Sequence, residues 1–330
     1  MENFIIITIL AIVFIIGLCV GSFLNVVILR SLSEESIAFP ASKCPKCQAK
    51  LKWWHNVPVI SYICLRGKCE FCKEPISIQY PIVELITGIV FTLLFIKYGI
   101  SFDTVFALVV ASLLIVIAGT DVKEKVVFDV HTYSLIGVGL LYAVIVTGTA
   151  LFNTYQTYGA IEFSKELVLF NPITISLLGI ILGIVVMETI ARLGYLVAGT
   201  RAFGEGDTYI AAGLGAMFGW KALIFILVLS LIIQVLFTLP VFIRKLIQKS
   251  DWKTLTALTV FLVYTAGFLI AQGYINMSGW LYTIAAVILA GLGLYACKQI
   301  LTGLKEKQED LLYLPFGPAM VIAALIMLIF

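Results

Sequence analysis

The chain has 330 residues, of which 61% are hydrophobic and only 12% charged, with a formal net charge of +3. Such a composition excludes an ordinary soluble domain and places the chain among membrane proteins. The charge is too small to argue for a nucleic-acid partner, so none is expected, and where the basic residues fall says more than their sum.

The first apolar run covers residues 4–29. Met1-Glu2-Asn3 is not a basic leader region, and the run is too long for a signal-peptide core, so it reads as a retained first transmembrane helix (residues 1–29). Residues 30–79 form the sizeable soluble stretch of the chain. It carries Cys44-Pro45-Lys46-Cys47 and Cys69-Glu70-Phe71-Cys72, two C-x-x-C turns about twenty residues apart. Each turn supplies two thiolates, and the segment between them closes a tetrahedral site, so Cys44, Cys47, Cys69 and Cys72 are read as zinc ligands. A four-thiolate site has no open position, which makes this zinc structural. The competing reading, two disulfides, is disfavoured in a cytosolic loop where thiols stay reduced. A segment of this size has little core of its own, and metal binding would supply much of its folding free energy. Cys64 matches neither knuckle, and Cys19 and Cys297 read as small apolar fillers within spans. Trp53, Trp54, Tyr62 and Tyr80 are read as markers of the headgroup interface.

Further apolar runs follow at about 80–98, 102–120, 128–150, 172–198, 207–220, 222–243, 254–275, 279–297 and 312–330, each near the ~20 residues a bilayer requires, with 207–220 the shortest. Asp121 closes one of these runs. Asp207 sits in Arg201-Ala202-Phe203-Gly204-Glu205-Gly206-Asp207, where the glycines are expected to allow positive φ and close approach. Ionisable residues at such boundaries are costly to keep, so a functional role is the default. Asp129, eight residues beyond Asp121, is the alternative partner but reads better as a helix-start carboxylate. Glu205 reads as a solvated loop charge. Glu188 and Arg192 have the spacing of an intrahelical ion pair. Glu84 has no partner by sequence, and His131 reads as structural.

Placing the N-terminus outside puts 18 of the 22 Lys and Arg residues in inner loops, including Arg30, Lys43, Lys68, Lys123, Lys125 and Arg201. Both termini are then outside, and Asp121 and Asp207 lie at one cytoplasmic face. The expected fold is an all-α polytopic membrane protein of about eight to ten transmembrane helices. Its small cytoplasmic zinc-knuckle insertion follows the first helix, and residues 80–330 make the membrane bundle.

Several stretches, in order, resemble the type IV prepilin peptidases, or prepilin leader peptidase/N-methyltransferases. They are Gly21-Ser22-Phe23-Leu24-Asn25-Val26-Val27-Ile28 with Arg30, the two C-x-x-C pairs enclosing Asn56-Val57-Pro58 and Leu65-Arg66-Gly67-Lys68-Cys69, and Tyr80-Pro81-Ile82-Val83-Glu84-Leu85. The Asp121 segment, Gly204-Glu205-Gly206-Asp207 and Pro315-Phe316-Gly317-Pro318 complete the set. The resemblance implies a multi-pass protein of the cytoplasmic (inner) membrane, in contact with its lipid. It implies an aspartic endopeptidase that removes the basic leader of type IV prepilins or pseudopilins at the cytoplasmic face. The family's catalytic aspartates fall on Asp121 and Asp207. Members with the zinc knuckles then methylate the new N-terminus with S-adenosylmethionine, and residues 30–79 would be the methyltransferase domain. The chain departs from the pattern at Val127-Phe128-Asp129, where relatives often have Leu-Pro-Asp. It has Tyr209 in place of a frequent Lys, and His55 in place of an acid before Asn-x-Pro. Residues 254–297 look like an extra helix pair.

Two other readings compete. One is a peptidase alone, with the zinc domain as a structural or substrate-docking module. The other is an ion-coupled transporter, which the clustering of carboxylates at one face disfavours.

Overall fold

The computed structural model describes residues 2–39, 42–158, 171–198, 204–248, 250–274 and 315–330, with parts of 280–298. Arg201 to Phe203, Cys297 and nearly half of the apolar run 279–297 lie outside them. The described chain is helical as expected, with two isolated β-bridges in the insertion. In chain order the helices are α1 Glu2–Ser33, α2 Ile60–Cys64, α3 Gln79–Tyr98, α4 Phe102–Glu124, α5 Asp129–Tyr158, α6 Pro172–Ala198, α7 Glu205–Gln248, α8 Trp252–Tyr274 and α9 Gly317–Ile329. Among the described residues six helices are long and apolar enough to cross a membrane: α1, α3, α4, α5, α6 and α7. Helix α9 is a shorter apolar helix.

Two of the expected runs, 207–220 and 222–243, are joined in α7. Its helical dihedrals break at Gly219, with φ 74° and ψ 171°, a conformation that suits glycine. A Cβ there would also run into Ile175 of α6.

By internal contacts the chain divides into two compact units. One comprises Met1–Leu193, Ala202–Ile233 and Pro315–Phe330; the other comprises Gly194–Arg201 and Gln234–Leu314. Asp121, Asp207, Gly317 and the four knuckle cysteines all belong to the first. The second has its own small core of Phe242, Leu246 and Leu258. There the Asp251 side chain accepts the Thr254 N–H at 3.2 Å and caps α8.

Helix α4 is the centre of the first unit. Ala107, Val110, Ala111, Leu114, Ile115, Val116 and Ile117 are all buried, so it is covered on several sides by α1, α3, α5 and α9. Lipid supplies no hydrophobic force between helices, and close approach depends on small residues. Helix α7 provides them: Gly215 touches Gly179 of α6 backbone to backbone, and Ala211 and Ala216 receive Gly183 and Gly139. This stripe sets the N-terminal half of α7 deep among its neighbours, with Ile210, Ala211, Ala212 and Leu214 fully buried.

Candidate active site and metal centre

Asp121 occupies the last turn of α4. The helix stops four residues later at Lys125, which takes a left-handed conformation (φ 56°, ψ 36°) while its N–H still donates to the Asp121 carbonyl at 2.9 Å. That turn sends the chain into Val127 and α5. Asp207 lies in the first turn of α7, and its Oδ2 accepts the Gly204 N–H at 3.3 Å. Both carboxylates are buried, Asp121 at 4% and Asp207 at 9% exposure, and they are electrostatic neighbours. The start of α9 lies against the pair: a Cβ on Gly317 would run into Asp121 Oδ2, and the Gly317 amide is an electrostatic neighbour of both carboxylates. Among the described residues no lysine or arginine reaches either carboxylate. Asp121 Oδ2 and the Thr208 hydroxyl are buried without a hydrogen-bond partner.

The glycines beside Asp207 meet one half of the expectation, the close approach, and not the other. Neither Gly204 nor Gly206 has a positive φ. Gly206 is needed for close approach, since a Cβ there would lie 2.6 Å from the Val127 Cβ. The start of α7 thus abuts the link that follows Asp121, which is how two distant helix ends come to meet.

The other candidates separate cleanly. Asp129 is exposed in the first turn of α5, the position expected of a helix-start carboxylate. Glu188 and Arg192 form the i,i+4 pair at 3.0 Å, but on an exposed face rather than in the bundle interior. His131 shares a 3.1 Å hydrogen bond with Ser31, tying the end of α1 to the start of α5. Tyr209 packs edge-on against Tyr133 at 5.6 Å.

Glu84 has a structural assignment that the sequence did not disclose. Its Oε2 accepts the Val59 N–H at 2.7 Å. Val59 sits at φ 61°, costly for a β-branched residue, so the carboxylate holds a strained turn of the insertion against α3. One helical turn away on the α1–α3 seam, Asn25 donates to the Tyr80 carbonyl at 3.1 Å.

The four knuckle thiols lie within 4.8 Å of one another. The two turns repeat each other. Cys44 N–H donates to Ala49 and Cys69 N–H to Glu74, and residues Gln48 and Lys73 are both left-handed. The donor set fits zinc: tetrahedral Zn–S bonds of ~2.3 Å require sulfurs about 3.8 Å apart, and Cys44 Sγ and Cys72 Sγ are 3.9 Å apart. All four are free thiols, and Cys64 stands outside the cluster. The amides of Cys72 and Phe71 hold the Cys69 thiol down to about 7. At Cys72 the Glu74 amide acts in the same direction, but burial and the three neighbouring sulfurs outweigh it and push the thiol up to about 11.

His55 joins the Asn56-Val57-Pro58 turn to the second knuckle. Its Nδ1 accepts the Lys52 N–H at 3.2 Å, which leaves Nε2 as the protonated nitrogen facing Glu70 at 2.5 Å. Phe71 and Trp54 enclose the ring edge-on. The Glu70 partner had no sequence signal beyond its place inside C-x-x-C.

Residues 15–98 match the family model for the bacterial peptidase A24 N-terminal domain, and residues 108–239 match that for the type IV leader peptidase family. The chain is 35% identical over 217 residues to a prepilin leader peptidase/N-methyltransferase of Myxococcus xanthus, a match covering 66% of this chain and 58% of that protein. With the protein of the same description from Neisseria gonorrhoeae it shares 33% over 243 residues, covering 66% and 77%. With that from Xanthomonas campestris it shares 30% over 290 residues, covering 80% and 93%. No solved structure matches the chain significantly.

Proposed function

The chain belongs to the type IV leader peptidase family, and on that premise we propose that it is a membrane aspartic endopeptidase. Its substrates are type IV prepilins or pseudopilins, whose basic leader it removes at the cytoplasmic face. The observation that carries this reading is the burial of Asp121 and Asp207 side by side, with no lysine or arginine reaching either among the described residues. Two carboxylates in such a site cannot easily both ionise, so they hold one proton between them. The ionised member takes a proton from water as it attacks the scissile carbonyl. The protonated member polarises that carbonyl and then supplies the proton the leaving amine needs. Which aspartate plays which part is a property of the coupled pair.

The second activity is N-methylation of the new terminus, with S-adenosylmethionine supplying the methyl group. Among the described residues there is no strand followed by a glycine-rich turn of the Rossmann type, and no residue is assigned to that cofactor. The insertion after α1 is the natural place for the reaction. Its closed zinc leaves its surface free for a peptide, and the charge distribution puts it on the same side as the aspartates. One bound substrate could then meet both sites without crossing the membrane.

The test is to incubate purified protein with a pilin-like leader peptide, with and without S-adenosylmethionine, and follow product masses. Cleavage in both samples, and a methyl increment only with the cofactor, is the expected result. An intact peptide would overturn the peptidase reading, and cleavage without methylation would leave a peptidase alone.

A further inference from the structure

The reading above gives no role to Pro315-Phe316-Gly317-Pro318. This stretch opens α9, with Phe316 at the cap and Gly317 and Pro318 as the first two helical residues. The first N–H groups of a helix have no partner inside it, and proline has none to offer. Gly317 therefore supplies the one donor of those two positions. The helix points that donor at the aspartates: the Gly317 amide neighbours both Asp121 and Asp207. The approach is as close as a residue can make it. A Cβ on Gly317 would collide with Asp121 Oδ2 and sit 3.1 Å from the Ile210 Cδ1. Asp121 Oδ2 is itself buried and forms no hydrogen bond, so the amide and the helix end behind it act on that oxygen as a nearby dipole.

We propose that Gly317 is a positioning residue of the aspartate pair: its N–H, carried on the N-terminus of α9, faces the negative charge that Asp121 and Asp207 share, and its missing side chain permits the approach. A buried pair sharing one charge has no aqueous dipoles to orient it. A fixed N–H, backed by the positive end of a helix, holds that charge in one arrangement. The donor needs no reorganisation as the proton changes hands, because it belongs to neither aspartate. This inference rests on the reading of Asp121 and Asp207 as the catalytic pair.

The experiment replaces the amide of Gly317 by an ester, which removes the N–H and nothing else of the side-chain packing. A control ester at Ala319 removes the Ala319 N–H bond to the Phe316 carbonyl, 3.1 Å long, and perturbs the same helical turn. Cleavage of the leader peptide by the Gly317 ester should lose about 10²-fold in kcat with KM unchanged, the effect of deleting one preorganised donor. The Ala319 ester should keep its activity, and Gly317→Ala should lose at least as much as the Gly317 ester. Wild-type kcat in the Gly317 ester, or an equal loss in the Ala319 control, would overturn the assignment. Asp207→Asn is run beside them. If that variant cleaves normally, the catalytic reading itself fails; if it is inactive while the Gly317 ester is unaffected, only the role of Gly317 is lost.

Discussion

Asp121 and Asp207 come from helix ends with two further helices between them in sequence, whereas the four thiols come from two turns that each deliver a complete pair. The knuckles are local. Each fixes its two sulfurs with its own backbone hydrogen bonds, and the second repeats the first. At the aspartates the local hold is the Gly204 N–H on Asp207, and it does not bring the two carboxylates together. Their meeting depends on the small-residue stripe of α7, the contact of Gly206 with Val127, and the arrival of α9. A site of the first kind tolerates change in the bundle and fails when a ligand is lost. One of the second kind is sensitive to packing at positions that carry no chemistry.

The largest expected effect breaks the pair at its chemistry. Asp121→Asn and Asp207→Asn should each lower leader-peptide cleavage by about 10³-fold or more while the protein still inserts, because asparagine keeps the shape but cannot exchange the proton. Initial rates by mass spectrometry decide it. Methyl transfer to a pre-cleaved peptide should survive in Asp207→Asn, and its loss there would move the second site into the bundle.

Next comes the metal. The protein should carry one zinc, and Cys69→Ser should abolish it, exposing the insertion to protease while the bundle helices persist. Elemental analysis of reduced protein with less than half an equivalent of zinc would contradict this. Zinc affinity should fall as pH drops. Each thiol must lose its proton to bind, and burial together with the neighbouring sulfurs pushes the Cys72 thiol up.

Packing should matter less than either but more for cleavage than for zinc. Gly206→Ala forces a methyl against Val127, an overpacking cost of roughly 1–3 kcal/mol. Cleavage should fall while zinc content stays whole, and adding Val127→Ala should restore part of the activity. A parallel loss of zinc would mean the two regions are not independent. Glu84→Gln removes a charged acceptor from Val59, worth about 1.5–3 kcal/mol. Amide exchange at Val59 should quicken while cleavage is retained.

The smallest effect belongs to Glu188→Gln. Its ion pair with Arg192 lies toward the C-terminal end of α6 with the Arg192 side chain 78% exposed, so if that helix end reaches water thermal stability should change by no more than about 0.5 kcal/mol. A larger shift in the unfolding midpoint would show that the pair is buried in the native membrane.

The sequence by itself determined the all-helical membrane fold, because apolar runs of bilayer length have one economical way to satisfy their backbone in lipid. It also determined the thiol cluster, since C-x-x-C places both ligands within one turn. Resemblance and boundary position singled out Asp121 and Asp207 as well. What it could not disclose was contact across the fold. Gly206 was expected to allow close approach, but not against which residue, and that proves to be Val127; Glu84 looked unpartnered and anchors Val59; Glu70 is paired to His55. The junction at Gly219, where α7 changes direction without ending, was likewise invisible to hydropathy. Gly317 shows the limit most sharply. Its motif was legible, but a backbone N–H has no signature in a string of side chains. Only the packing of α9 against α4 and α7 decides what that donor faces.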